Sequence, residues 1–230
     1  MRILAPPGVF RPHSDTWLLA EVMRSQTLAP RATVLDLCTG TGALAIAAAR
    51  RGARRVTAVD VSRRAVLTAR LNARLSGVRV RVLRGDLFAP VGSERFDVIV
   101  SNPPYLPAET PELPRAGLRR AWDAGADGRV LLDRICAQAP AHLRPGGSLL
   151  LVHSSVCDGA ATIGALQAGG LDVDVLARRR GPLGPLLAGR TRLLEQRGLL
   201  PPGRREEEML VIRATVPVRP RARARAPQYW

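Results

Sequence analysis

Thr33-Val34-Leu35-Asp36-Leu37, followed by Cys38-Thr39-Gly40-Thr41-Gly42, is the stretch that decides the fold. The first five residues read as a short strand and the next five as a tight loop. Ala43 to Arg51 continues as a helix whose small residues, Ala45, Ala47, Ala48 and Ala49, allow close packing on a sheet. Arg55-Val56-Thr57-Ala58-Val59 is a second strand and closes on Asp60. The whole is a β-loop-α-β unit: a glycine loop feeds a helix N-terminus, and an acidic residue follows roughly 20 residues later. It predicts an α/β fold. The pattern Gly40-x-Gly42-x-x-Ala45 is by itself compatible with a dinucleotide site. Asp36 tells against that, because a carboxylate facing the ligand repels a pyrophosphate and attracts an ammonium. Asp60 can accept from both hydroxyls of a ribose. A nucleoside with an amino-acid tail and no phosphate satisfies both carboxylates, and S-adenosylmethionine is such a molecule.

The next units repeat the theme. Arg63 to Ser76 has the spacing of an amphipathic helix with arginines outward, and Val78 to Leu83 alternates as a half-exposed strand. That strand runs into Gly85-Asp86-Leu87-Phe88, where Asp86 can accept from an adenine amino group with Leu87 against the base. Phe96 to Val100 is a buried strand that stops at Ser101-Asn102-Pro103-Pro104-Tyr105. The prolines cannot extend a sheet, so Asn102 and Tyr105 stand at a strand's carboxyl end, where open α/β sheets hold ligands. The Asn102 carboxamide oxygen and a carbonyl of the proline pair can each accept one N–H of a planar NH2 group, with Tyr105 packed beside it. Taken singly, each aspartate is an ordinary turn residue and Asn102 an ordinary turn starter. Their joint placement at successive strand ends is what points to a ligand.

Upstream, Trp17 to Met23 has helical spacing, with Ser14, Asp15 or Thr16 expected as its cap and His13 in a surface loop. Leu106 to Gly125 is long, Pro-rich and aperiodic, and is expected to form a lip over the substrate, anchored by Trp122. A helix over Arg129 to His142, a strand over Ser148 to Val152 with a structural His153, a helix over Cys157 to Gly169 and a strand over Leu171 to Leu176 follow. Arg178 to Pro185 reads as a basic linker, Leu186 to Arg197 as a helix, and Met209 to Ala214 as a last strand. Residues 1–216 thus form one expected domain with a basic insertion around 178–205, and the Arg/Pro/Ala tail 217–230 is expected to be disordered.

The 230 residues carry 35 basic against 19 acidic side chains, a formal charge of +16, and no lysine. An all-arginine charge can reflect composition bias as much as a polyanionic partner, although it favours encounters with RNA, ribosomes or acidic proteins. Cys38, Cys136 and Cys157 are widely spaced, with no histidine beside them, which predicts no metal site and a reducing compartment. No apolar run approaches the roughly 18 residues of a membrane span, and no secretory leader is evident, so a cytoplasmic protein without membrane contact is expected.

These motifs together resemble the class I S-adenosylmethionine-dependent methyltransferases. More narrowly they resemble the HemK-type glutamine-N5 protein methyltransferases that modify translation release factors, in the short branch without a separate N-terminal helical domain. The matching pieces are Ser14-Asp15-Thr16, Leu35 to Gly42, Val59-Asp60, Gly85-Asp86-Leu87, Asn102-Pro103-Pro104-Tyr105, Trp122 with Asp127-Gly128-Arg129, and Glu207-Glu208-Met209. The resemblance implies a Rossmann-like, seven-stranded, mostly parallel sheet with helices on both faces, and S-adenosyl-L-methionine as cofactor. It implies Thr16, Asp36, Cys38, Gly40, Gly42, Asp60, Asp86, Leu87 and Asn102 as cofactor contacts, and Asn102, Pro103 and Tyr105 as catalytic residues. It also implies a protein substrate with an exposed glutamine, such as a release factor, and a small activator protein as a partner. The Asn-Pro-Pro-Tyr motif also occurs in adenine-N6 nucleic-acid methyltransferases, so it specifies a planar NH2 acceptor and leaves its carrier open. Cys38 departs from the glycine usual at its position.

Overall fold

A computed structural model describes residues 3–26 and 31–218. Helix α1 (Ser14–Ser25) precedes the alternating series β1 (Thr33–Leu37), α2 (Ala43–Arg50), β2 (Arg55–Asp60), α3 (Arg63–Leu75), β3 (Arg81–Arg84) and β4 (Phe96–Ser101). Then come α4 (Val130–His142), β5 (Leu143–Ser154), α5 (Gly159–Ala168), β6 (Asp172–Pro182), two short helices α6 (Pro185–Ala188) and α7 (Thr191–Gln196), and β7 (Glu206–Thr215). The strands form one sheet in the order β3-β2-β1-β4-β5-β7-β6. β1 to β5 are parallel, and β7 runs antiparallel between β5 and β6. The order reverses between β1 and β4, and a cleft at that switch point is the geometric consequence.

Both faces of the sheet are covered, which explains why the central strands are apolar almost throughout. Leu35, Leu37, Ile99, Leu149 and Leu151 face one core with Leu132 and Ile135 of α4. Val34, Val100, Leu150 and Val152 face the other, with Leu18, Leu19 and Met23 of α1, Leu44 of α2 and Val66 of α3. The alternation along each strand assigns successive side chains to opposite cores.

Several boundaries differ from the sequence expectation. Arg178 to Pro182 is the continuation of β6 and not a linker, because β7 pairs with it as far as Glu206. The glutamate run offsets the arginines there, and Arg178 donates to Glu208 at 2.8 Å. The predicted helix over Leu186–Arg197 is two helices parted at Gly189-Arg190. α5 begins only at Gly159, since Asp158, with φ of 53°, caps it through Ala161 N at 3.0 Å. α1 has no side-chain cap; its N-cap residue is the exposed His13. The tail beyond Val218 lies outside the described residues. No helix of the described residues is long and apolar enough to cross a membrane.

Candidate active site

The carboxyl ends of β1, β2, β3 and β4 converge on one cleft. Its walls include Cys38 to Thr41 after β1, Asp60 to Ser62 after β2, Gly85 to Leu87 after β3, and Asn102 and Pro104 after β4. Phe10, Pro12 and Thr16 close one side, and Gly117, Leu118, Arg120 and Ala121 from the long loop close another. Of the residues singled out from sequence, Thr16, Cys38, Gly40, Asp60, Asp86, Leu87 and Asn102 line the cleft, whereas Asp36, Gly42, Pro103 and Tyr105 stand behind it.

Asp36 is fully buried beneath the glycine loop instead of facing the ligand as expected. Its Oδ2 accepts from Thr39 Oγ1 at 2.6 Å and from Ala45 N at 3.0 Å, which pins the loop to the first turn of α2. Its Oδ1 is buried with no partner. Burial pushes its pKa up to about 7; the two hydrogen bonds oppose that shift and the charge of Asp60 adds to it. Asp60 accepts from Gly40 N at 2.9 Å and Ser62 N at 2.8 Å. Its pKa is also raised by burial, against the pull of those donors and of Arg120. Asp86, which lines the cleft, is held through Oδ2 by Arg134 at 2.5 Å. Two neighbouring carboxylates that resist ionisation form a place where a cation is welcome.

Cys38 has φ of 56°, a left-handed conformation that L side chains disfavour. Burial and the surrounding carboxylates Asp60, Asp36 and Asp86 push its thiol up, so it is an inert part of the wall. Leu87 is likewise left-handed, with φ of 44°.

A hydrogen-bonded chain crosses from α1 to the end of β4. Asp15 Oδ2 accepts from the Tyr105 hydroxyl at 2.8 Å, and Asp15 Oδ1 accepts from Thr16 N at 2.6 Å and Thr16 Oγ1 at 3.3 Å. The single hydroxyl hydrogen of Thr16 is thereby committed, so Thr16 Oγ1 can only accept from Asn102 Nδ2, 3.0 Å away. Among the described residues the Asn102 carboxamide oxygen and the Pro103 carbonyl accept no hydrogen bond. Burial and the Asp15 charge push the Tyr105 phenol up, so it remains a donor. Behind it, Cys157 Sγ donates to Tyr105 O at 2.7 Å. Gly128, with φ of +78°, leaves no room for a β-carbon, which would stand 2.2 Å from that same oxygen.

The long loop is braced from both ends. Leu106 N donates to Trp122 O at 2.7 Å and Ala124 N to Leu106 O at 3.0 Å, so its stems pair. Arg190 donates to Pro107 O at 2.7 Å, and Arg197 to Ala108 O, Ala126 O and Glu109 O. Trp122 packs on Phe10, with ring centroids 5.6 Å apart. Asp15, Phe10 and Arg120 were not among the expected site residues. Asp15 was read as a candidate helix cap and as part of the Ser14-Asp15-Thr16 motif without a role of its own, and Arg120 lies in a segment without periodicity.

Fold and cleft together define a class I S-adenosylmethionine-dependent methyltransferase. A family model described as the methyltransferase small domain matches residues 1–113. An inferred protein N5-glutamine methyltransferase of Methanocaldococcus jannaschii is 36% identical over 181 residues, covering 79% of this chain and 90% of the relative. The chain belongs to that protein N5-glutamine methyltransferase family. A release factor glutamine methyltransferase of Geobacter sulfurreducens is 40% identical over 152 residues; the match spans 63% of this chain and about half (53%) of that relative. Among solved structures, the E. cuniculi Mtq2–Trm112 complex superposes with a TM-score of 0.60 at 22% identity, covering 90% of this chain and 98% of the other, which is a likeness of fold.

The cofactor of this class fits the cleft. The orphaned Asp36 oxygen and the raised Asp60 suit a cationic amino-acid tail and a ribose. Gly40 presents no side chain, and a β-carbon there would meet nothing within 4 Å, so the loop leaves open space.

Proposed function

We propose that this methyltransferase transfers a methyl group to the side-chain nitrogen of a glutamine in a protein, with a translation release factor as acceptor. The observation that carries the reading is the pair of unfilled acceptors, Asn102 Oδ1 and Pro103 O, at the end of β4, the first fixed in orientation by Thr16. An amide nitrogen is a weak nucleophile because its lone pair is delocalised into the carbonyl. Two N–H bonds accepted by Asn102 and Pro103 turn the nitrogen's lone pair toward the cleft and draw off positive charge as it develops. Tyr105, locked to Asp15, packs beside the planar amide. S-adenosylmethionine, when bound, supplies an electrophilic methyl on a sulfonium. Thr16, Asp36, the Cys38 to Gly42 loop, Asp60, Asp86 and Leu87 hold it, with Asp36 acting from beneath the loop. Holding both groups in one cleft removes much of the entropic cost of their meeting.

We read 1–216 as the methyltransferase domain and Arg190 and Arg197 as fasteners of the acceptor-side loop. The Mtq2–Trm112 likeness supports a small activator protein as partner. The test is methyl transfer from labelled S-adenosylmethionine to cell extract divided between nuclease and protease. Label that survives nuclease and is lost to protease supports the reading, and label lost to nuclease moves the acceptor to an adenine.

A further inference from the structure

A second cleft lies at the other end of the same strands. Arg54, Arg55, Arg70, Arg74, Arg79 and Arg81 surround it, and Val56, Ala73, Val78 and Val80 form its floor. Arg55 opens β2 and Arg81 opens β3, the edge strand of the sheet. Arg79 and Arg81 are two residues apart in an extended segment, and Arg70 and Arg74 are four apart on α3, so each pair shares one side. All six arginines are exposed. Among the described residues only Arg81 is in an ion pair, with Glu94 at 2.6 Å. Arg70 spends one donor on Val82 O at 2.8 Å. Eight further ion pairs engage arginines elsewhere among the described residues, whereas five of the six arginines crowded around this cleft are in no ion pair.

We propose that this cleft binds the phosphate backbone of RNA. Guanidinium forks match phosphate oxygens two at a time, and crowded unpaired cations call for a ligand that repeats its negative charge at short intervals. No aromatic side chain lines the cleft, so bases find no stacking platform and recognition is of the backbone, independent of sequence. The six residues of β2 separate this cleft from the cleft at the carboxyl ends by roughly 17 Å at about 3.3 Å per residue. RNA held here therefore takes no part in methyl transfer and serves to dock the enzyme where a protein acceptor of the translation apparatus works. The choice of RNA over DNA rests on the proposed function.

The test is a titration of the full chain with short poly(U) at several salt concentrations, comparing Arg74→Glu/Arg79→Glu with Arg192→Glu/Arg204→Glu. The second pair consists of exposed arginines near the opposite sheet edge and changes net charge by the same amount. The cleft variant is expected to lose at least tenfold in affinity at low salt, with the log–log salt slope shallower by about 0.7 for each arginine removed from contact. The control variant should lose much less. Equal losses in both variants would mean a diffuse field and overturn the site, as would no loss in either. Displacement of RNA by poly-glutamate at lower concentration than by inorganic polyphosphate would assign the cleft to an acidic protein and also overturn the proposal. Circular dichroism melting of each variant separates loss of binding from loss of fold. The titration needs no methyl acceptor, so its failure is distinct from failure of the proposed methyl transfer, and the cleft variant should methylate an isolated protein acceptor at the unaltered rate.

Discussion

The two ends of the parallel strands carry opposite electrostatics. At the carboxyl ends, buried carboxylates meet unfilled acceptors; at the amino ends of β2 and β3, six exposed guanidinium groups meet one carboxylate, Glu94. The same β-α repeat builds both. Strand termini recur at fixed places, so a residue type set at the end of one strand finds its counterparts at the ends of the next. The carboxyl end gains chemistry because its groups are desolvated and oriented by hydrogen bonds, whereas the amino end keeps its charge in water. Burial, and not charge count, separates a chemical site from a docking surface.

Substitutions can sharpen that contrast. Asn102→Ala should lower turnover by roughly a hundredfold or more while leaving cofactor affinity nearly intact, because it removes an acceptor used as charge develops. Asp60→Ala should act in the opposite sense, weakening cofactor binding by about ten- to a hundredfold in calorimetry, the worth of hydrogen bonds to a charged group. An unchanged Kd would remove Asp60 from the cofactor site.

Next is the response to pH. Asp36 has a folded pKa of about 7 against its ordinary 3.8, so the stability it contributes is complete below its ordinary value and is lost as pH rises through about 7. A cationic ligand favours the ionised form. Cofactor affinity should therefore fall by up to about tenfold per pH unit below 7, and Asp36→Asn should flatten the profile. A wild-type profile flat between pH 5 and 7, at about the same affinity, would contradict this.

Smaller effects probe the bonded chain. Asp15→Asn should cost about fivefold in kcat with little change in cofactor Kd, the size of one hydrogen bond lost between Tyr105 and α1. Equal losses in kcat and cofactor affinity would make Asp15 a simple packing residue. Cys38→Gly should have the least effect. Relief of about 1 kcal/mol of left-handed strain is offset by a similar gain in unfolded-chain entropy, so the melting midpoint should barely move. A tenfold loss of cofactor affinity in that variant would show that the thiol itself contacts the ligand.

Much of this was legible in the sequence, and for a physical reason. Chain breaks at Gly40, Gly42 and Pro103 and the alternation of apolar residues are local signals, so the strand ends and the aspartates on them could be placed without tertiary knowledge. What stayed hidden depends on distant partners. The bonds from Thr16 to Asn102 and from Asp15 to Tyr105 join residues 86 and 90 positions apart. Asp36 was read as facing the ligand because its strand position is visible, but its burial under the loop is not. The extension of β6 through three arginines follows from the glutamates of β7 across from them, a pairing that neither segment shows alone. His153 was read as structural; it is fully buried, and burial lowers its pKa to about 4.

The most direct test of the central claim is mass spectrometry of a purified release factor after incubation with S-adenosylmethionine and either the wild-type chain or Asn102→Ala, with cofactor binding by both verified beforehand. One methyl group is expected on a glutamine side-chain nitrogen with the wild type and almost none with the variant. A methyl group on another residue type, or equal modification by the two proteins, would contradict it.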